Sequence, residues 1–180
     1  DLSGMRDYAK TYGGPGLREL NFHDRARMLK ALALHLKLHR KALYQLSFET
    51  GATLADSKID IDGGIATLLV YASKGRREMP EDFILPDGEL ELLSRDGSLL
   101  GQHVYTPLRG VAVQINAVNF PVWGMLEKLA PSLLAGVPSV IKPATSTGYV
   151  TQAVVRLMLG SGILPRGAIQ LIMGGTGNLL

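Results

Sequence analysis

Four features of this 180-residue chain have the residue types and spacing to do chemistry on a carbonyl beside a nucleotide. Asn119 stands before Phe120 and Pro121, just after a strand-like run from Val111 to Asn116. A fixed side-chain N–H at that place can stabilise the oxyanion formed when a carbonyl is attacked, a contribution of about 3 kcal/mol. Asn is also common in turns, where it tolerates unusual backbone angles and bonds locally, and taken alone the turn reading is the stronger. Lys142 ends a second apolar run, Ser139 to Lys142. Most such lysines reach solvent, whereas in a nucleotide site a lysine meets ribose hydroxyls or a phosphate as a compact charge. Gly174-Gly175-Thr176-Gly177 follows a third run, Ala168 to Met173. A lone glycine tetrad is weak, but after a strand and before a helix its N–H groups can approach a pyrophosphate. Lys128, in an apolar segment, is either a salt-bridged core residue or a proton-handling group, and the structural reading is the better supported.

These residues gain meaning from the elements that must hold them. Val111–Asn116, Ser139–Lys142 and Ala168–Met173 read as strands, separated by helices over Pro121–Ala135 and Gly148–Leu159. Strands joined by single helices are parallel, and right-handed crossovers place all their C-terminal ends on one edge. Ile115, Asn116, Ala117, Val118 and Asn119, then Lys142 with Ala144 and Thr145, then Gly174 to Gly177, all fall on that edge. Open α/β sheets bind their ligands there. The first strand reads as buried. Upstream, Asn21 with Asp24 three positions on opens a long helix to about Thr50, with Gly51 as its stop. Leu29, Leu32, Leu36, Leu43 and Leu46 give it one apolar stripe. A second helix is expected over Asp62–Arg77, weakened at its start by Gly63 and Gly64 and ended by Pro80. From Ile84 to Gln114 the period is two, with turns at Pro86-Asp87-Gly88, Arg95-Asp96-Gly97 and Pro107 to Gly110. The expected fold is α/β: a helical region over 1–83, projecting strands over 84–108, and a β-α-β-α-β unit over 109–180.

Composition sets bounds. With 46% apolar residues the chain can bury a sizeable core. The absence of cysteine excludes disulfides, zinc-thiolate sites and thiol nucleophiles within these residues. A net charge of +3, spread rather than clustered, gives little support to a nucleic-acid surface and leaves anionic small molecules as partners. Glu127 and Lys128 interrupt the one long apolar stretch, so no bilayer span is expected, and the cytoplasm is the expected compartment. The opening at Asp1 and the glycine loop near Leu180 read as a fragment of a longer chain. His35 and His39 share a helix face but lack a third ligand and read as surface residues. Asp56, Asp60 and Asp62 read as a capped, solvated helix start rather than a calcium loop, because Lys58 occupies a ligand position. Trp123 and Met125 read as packing residues.

Pro107-Leu108-Arg109-Gly110-Val111-Ala112-Val113, Asn119-Phe120-Pro121, Lys128, Pro131 with Leu133-Leu134-Ala135-Gly136, and Lys142-Pro143 resemble, in order and spacing, the aldehyde dehydrogenase superfamily. The resemblance spans the whole chain. Finer stretches, Asp60-Ile61-Asp62-Gly63-Gly64, Tyr71 to Arg77, Ser94 to Ser98, Gly101-Gln102-His103 and Ile115 to Gly124, are similar to the dehydrogenase domains of aerobic phenylacetate degradation. The semialdehyde dehydrogenases of the benzoyl-CoA pathway are a less close match. The resemblance implies a Rossmann-like cofactor domain and a reaction in which a cysteine thiolate attacks an aldehyde, hydride leaves to a nicotinamide, and the thioester is hydrolysed with a glutamate as base. It implies Asn119 as the oxyanion amide, Lys142 as the adenosine-ribose lysine and Lys128 as a lysine of a proton relay. The cysteine and the glutamate have no counterpart among these residues.

Three departures matter. Thr145 stands where many members carry a Glu that accepts from ribose hydroxyls, which implies NADP as the preferred cofactor, with NAD also accepted. Val118 replaces a Trp before the Asn. The Gly174 to Gly177 spacing is shorter than that of many relatives. The resemblance further implies a CoA-linked semialdehyde as substrate, a homo-oligomer built through the projecting strands, and a fused hydratase domain. A non-catalytic nucleotide-binding or assembly module is the alternative from a different class.

Overall fold

Two reciprocal caps fix where the long helices begin. The computed structural model describes residues 2–175. In it the Asn21 side chain accepts from the Asp24 N–H at 2.8 Å while the Asp24 carboxylate accepts from the Asn21 N–H at 3.2 Å. This capping box satisfies two N–H groups that a helix start leaves free and launches α3, Phe22–Ser47. A short 3₁₀ turn, Phe48–Thr50, closes it at Gly51, whose φ of 85° only glycine adopts at low cost. Thr53 and Asp56 repeat the device at the head of α4, Leu54–Glu78. That helix therefore starts well before Asp62, where the sequence placed it, and Gly63 and Gly64 lie in its interior.

Their place is explained by contact. A Cβ on Gly63 would lie 2.7 Å from the Trp123 ring, and one on Gly64 would lie 3.1 Å from Leu126 and from the Trp123 backbone. Each glycine costs a helix interior roughly 1 kcal/mol against Ala, and here that cost is offset by the close approach of a second helix. Before α3, a helical stretch of three parts, α1 (Leu2–Tyr8), a π-helical turn (Ala9–Gly13) and α2 (Gly14–Arg18), runs back across the last strand. The Gln170 amide donates to the Met5 carbonyl at 2.7 Å and the Arg166 guanidinium to the Tyr8 hydroxyl at 2.8 Å.

The residues between 84 and 108 form an antiparallel pair, β1 (Leu85–Leu92) and β2 (Leu100–Tyr105), that pairs with no other described strand. Most of its side chains are exposed. Pro86-Asp87-Gly88, expected as a turn, lies inside β1, where Gly88 at φ 78° and a register shift between Asp87 and Glu91 make a bulge. The turn at Arg95-Asp96-Gly97 is present. Its Asp96 carboxylate accepts from the hydroxyls of Ser94 and Ser98, which draw its pKa down to about 2.

Next come β3 (Ala112–Ile115), α5 (Trp123–Leu134), β4 (Ser139–Lys142), α6 (Gly148–Gly160) and β5 (Ile169–Leu171). The three strands form one parallel sheet in the order β3-β4-β5, with Ile115 opposite Lys142 and Ile141 opposite Leu171. The alternation of helix and strand predicted this arrangement. β4 is buried, but β3 alternates: Gln114 is covered while Val113 and Ile115 are exposed. The expectation of a buried first strand fails because β3 is an edge of the described sheet and one of its faces is bare. Leu29, Leu32, Leu36 and Leu43 of α3, Ile61, Ile65 and Leu68 of α4, Leu126, Leu129 and Leu133 of α5 and Val150 and Val154 of α6 meet in one core. Arg25, fully buried at its edge, places its guanidinium 4.5 Å from the Phe22 ring centroid, and none of its side-chain nitrogens has a hydrogen-bond partner among the described residues. Burial pulls its pKa down to about 10. No described helix is long and apolar enough to cross a membrane.

Gly63→Ala in the intact protein should cost about 1–3 kcal/mol through overpacking against Trp123, read as a lowered denaturant midpoint. An unchanged midpoint would show that the two helices separate freely at this point.

Candidate active site

The loop between β3 and α5, residues 116–122, is held by three side chains: Asp60 of α4, Thr151 of α6, and Thr147 on the loop that leads into α6. Asp60 of α4 is only 4% exposed, and its carboxylate accepts from the Val122 N–H at 3.1 and 3.2 Å and from the Trp123 N–H at 2.7 Å. It thus caps α5 from outside the loop, where the free N–H groups and the positive end of the helix dipole favour an anion. Burial pushes its pKa up, and the two backbone donors oppose that rise. Thr147 donates to the Val118 carbonyl at 2.9 Å and the buried Thr151 to the Pro121 carbonyl at 2.9 Å. Within this clamp Phe120 adopts φ 51°, the one described non-glycine residue at positive φ. Such a conformation costs on the order of 1–3 kcal/mol and persists where the surroundings over-determine it. Its ring packs edge-on against Trp123, centroids 6.1 Å apart.

Asp60 was expected to be solvated. The sequence does hold a signal for its burial: it falls at the same helical spacing as Ile61, Gly64, Ile65 and Leu68, so a carboxylate stands in the apolar stripe of α4 and must find donors. Asp62 faces away and accepts from the Tyr44 hydroxyl at 2.6 and 2.7 Å.

Two depressions lie beside the loops that leave the sheet. One, about 410 Å³, lies between the α3–α4 junction, with Ser47, Gly51 and Asp60, and the loop carrying Val118, Asn119 and Phe120. The other, about 240 Å³, is lined by Ile115, Asn116, Lys142, Ala144 and Thr145. The structure therefore brings the expected residues together in two groups and does not seat Asn119 and Lys142 in the same hollow. Hydrogen bonds stitch the loops that separate them. Besides Thr147 to Val118, Thr145 donates to the Gly174 carbonyl at 3.3 Å, so the loops after β3, β4 and β5 are joined in sequence. Asn119 itself is exposed, as is Ala117.

Lys142 turns its ammonium back to the Pro143 carbonyl at 2.8 Å. Asn116 is buried, with neither amide atom partnered among the described residues. Strand alternation puts its side chain on the face of Gln114, opposite that of Ile115 and Lys142. Gly174 takes φ 113°, and Gly177 lies outside the described residues. Lys128 is in neither depression. Its side chain is 42% exposed, with Nζ donating to the Gly124 carbonyl at 2.7 Å and 3.4 Å from Glu127. The salt bridge is there, but the core placement is not, because this face of α5 is uncovered. His35 and His39 sit with ring centroids 4.9 Å apart beside Arg156, and the described residues contain no group of three metal-ligating side chains.

The model of the aldehyde dehydrogenase family matches residues 5–180. The chain belongs to the aldehyde dehydrogenase family. Among curated relatives it is 41% identical over 181 residues to 3,4-dehydroadipyl-CoA semialdehyde dehydrogenase of Aromatoleum evansii, matching 100% of this chain and 35% of that protein. It is 36% identical over 126 residues to alpha-ketoglutaric semialdehyde dehydrogenase of Bacillus subtilis, covering 70% of this chain and 24% of the relative. Among solved structures, betaine aldehyde dehydrogenase of Staphylococcus aureus in complex with NAD+ superposes with a TM-score of 0.75 at 30% identity, covering 89% of this chain and 30% of that one. An NADP-dependent enzyme of E. coli gives 0.77 at 26% identity, covering 95% and 33%. The chain thus spans about a third of the length of these relatives.

Solved relatives of this chain are described in complex with NAD+ or NADP. Two observations at this edge are compatible with such a ligand: a cationic Lys142 at a strand end, and loops tied edge to edge. The residues that sequence reasoning missed are Asp60, Thr147 and Thr151, which touch the Asn119 loop rather than form part of it. Thr151→Val, which leaves the buried Pro121 carbonyl without its donor, should cost about 1–3 kcal/mol in a denaturation curve of the intact protein. A neutral result would mean that water replaces the hydroxyl.

Proposed function

We propose that this chain forms part of an NADP-dependent dehydrogenase that oxidises a CoA-linked semialdehyde to its acid in aerobic aromatic degradation, within the phenylacetate branch. The observation that carries the reading is the parallel strand edge where Asn119 and Lys142 stand on adjoining, hydrogen-bonded loops. The CoA-linked substrate is supported by the name of the 41% identical relative. The phenylacetate branch is supported by the finer motif resemblances, Asp60 to Gly64 and Ile115 to Gly124 among them.

In this reading Lys142, Ala144, Thr145, Ile115, Asn116, Ala117 and Val118 hold the adenosine side of the cofactor, with Gly174 and Gly177 nearer its phosphates. The cofactor supplies the acceptor for the hydride that leaves the substrate carbon. Asn119 donates its amide N–H to the oxygen of the aldehyde as a thiolate adds to the carbonyl carbon and that oxygen takes up negative charge. Loss of hydride gives a thioester, and water then adds to it, releasing the acid and restoring the thiol. The thiolate lies outside these residues, since the chain contains no cysteine, and the resemblance gives the glutamate base no counterpart among them either. Lys128, half-buried on α5, is the residue assigned to proton transfer. The exposed β1–β2 pair serves as the contact between subunits, since unpaired strand edges seek partners, and a fused hydratase domain accompanies the dehydrogenase.

The cofactor preference rests on Thr145, a neutral, exposed side chain beside Lys142 at the rim of the smaller depression. A carboxylate there would repel a 2′-phosphate. Titration of the intact enzyme should give a lower Kd for NADP than for NAD, and Thr145→Glu should weaken NADP more than NAD. Equal affinities in the unaltered enzyme contradict the preference. Asn119→Ala should reduce kcat by about 10²–10³ while leaving the Kd of the cofactor unchanged. Unchanged turnover removes the oxyanion role.

A further inference from the structure

Asn119 gains nothing as an oxyanion donor unless its amide is already fixed when charge appears, because a donor that must reorganise during reaction forfeits much of its effect. Yet Asn119 is exposed, lies on a loop, and has no side-chain hydrogen bond among the described residues that would hold it. Its position is set by what holds its neighbours. On its C-terminal side Phe120 is at φ 51°, and immediately after Pro121 the Val122 and Trp123 N–H groups end on one carboxylate, that of Asp60.

We propose that Asp60 is a positioning residue for the Asn119 amide: its buried carboxylate, reaching from α4, pins the start of α5 and so fixes the loop on which Asn119 stands. This rests on the oxyanion reading of Asn119. Three features distinguish the arrangement from an ordinary helix cap. The capping group comes from a residue 62 positions away, so it fixes the loop to another helix and not merely to itself. Asp60 lines the same depression as Asn119. Its carboxylate accepts both bonds where Phe120 already holds a left-handed backbone, so release of the bonds lets residues 119–122 relax to ordinary angles and swing the amide away. Thr147 and Thr151 hold the Val118 and Pro121 carbonyls, which limits how far the loop moves and predicts a loss of rate rather than of fold.

The test is a double-mutant cycle in the intact enzyme with Asp60→Ala, Asn119→Ala and the pair, followed by steady-state turnover per cofactor-binding site and by NADP titration. Asp60→Ala should lower kcat at least tenfold with the Kd for NADP unchanged. Added to Asn119→Ala, it should lower kcat no further, because the amide it positions is gone. Asp60→Asn, which keeps an acceptor oxygen but not the charge, should restore part of the rate. Multiplicative losses in the double variant would overturn the proposal, and so would full turnover per folded site in Asp60→Ala. If Asp60→Ala fails to fold, Asp60→Asn is read in the same cycle against Asn119→Ala. A loss with Asn119→Ala but none with either Asp60 variant sinks the positioning role alone. No loss with Asn119→Ala sinks both the oxyanion reading and this one.

Discussion

A single buried carboxylate joins the helical half of the molecule to the edge of its sheet. Asp60 carries its charge into the contact between α4 and α5 and finds two backbone N–H groups at the head of α5. Hydrogen bonds to a charged group contribute about 1.5–3 kcal/mol, and a charge buried without them costs more. Both partners are therefore constrained: α4 must approach closely, which Gly63 and Gly64 permit, and α5 must begin at Trp123 and no earlier, which bends the loop before it.

From that bend the rest of the candidate site follows. β3, β4 and β5 run parallel, so their outgoing loops lie side by side, and Thr145 and Thr147, both on the loop after β4, reach one to each neighbouring loop. The central loop thus acts as a tie between a hollow containing Asn119 and a hollow containing Lys142. A ligand spanning both would be gripped at one end by a cation and presented at the other to an amide donor.

Much of this was legible in the sequence, and the failures share a cause. Where partners are close in the chain, the residues announce the structure: Asn21 with Asp24 and Gly51 mark α3, and the alternation after Val111 marks the parallel sheet. Where partners are distant, local rules mislead. Gly63 and Gly64 read as helix weakeners because Trp123, which needs their missing side chains, is far along the chain. Asp60 read as a solvated acid because its donors belong to another helix. The exposure of Val113 and Ile115 depends on what covers the edge of the sheet, which strand periodicity does not report. Lys128 sits on α5 as expected, and its distance from both hollows could be seen only once the helix was placed against α4.

The account is tested most directly by a crystal structure of the intact enzyme with NADP bound. It predicts one cofactor lying along the C-terminal edge of β3 and β4, with the adenosine ribose at Lys142 and Thr145 and the nicotinamide end at Asn119. Electron density for the cofactor on another face, or with Asn119 and Lys142 both free of it, would contradict the account.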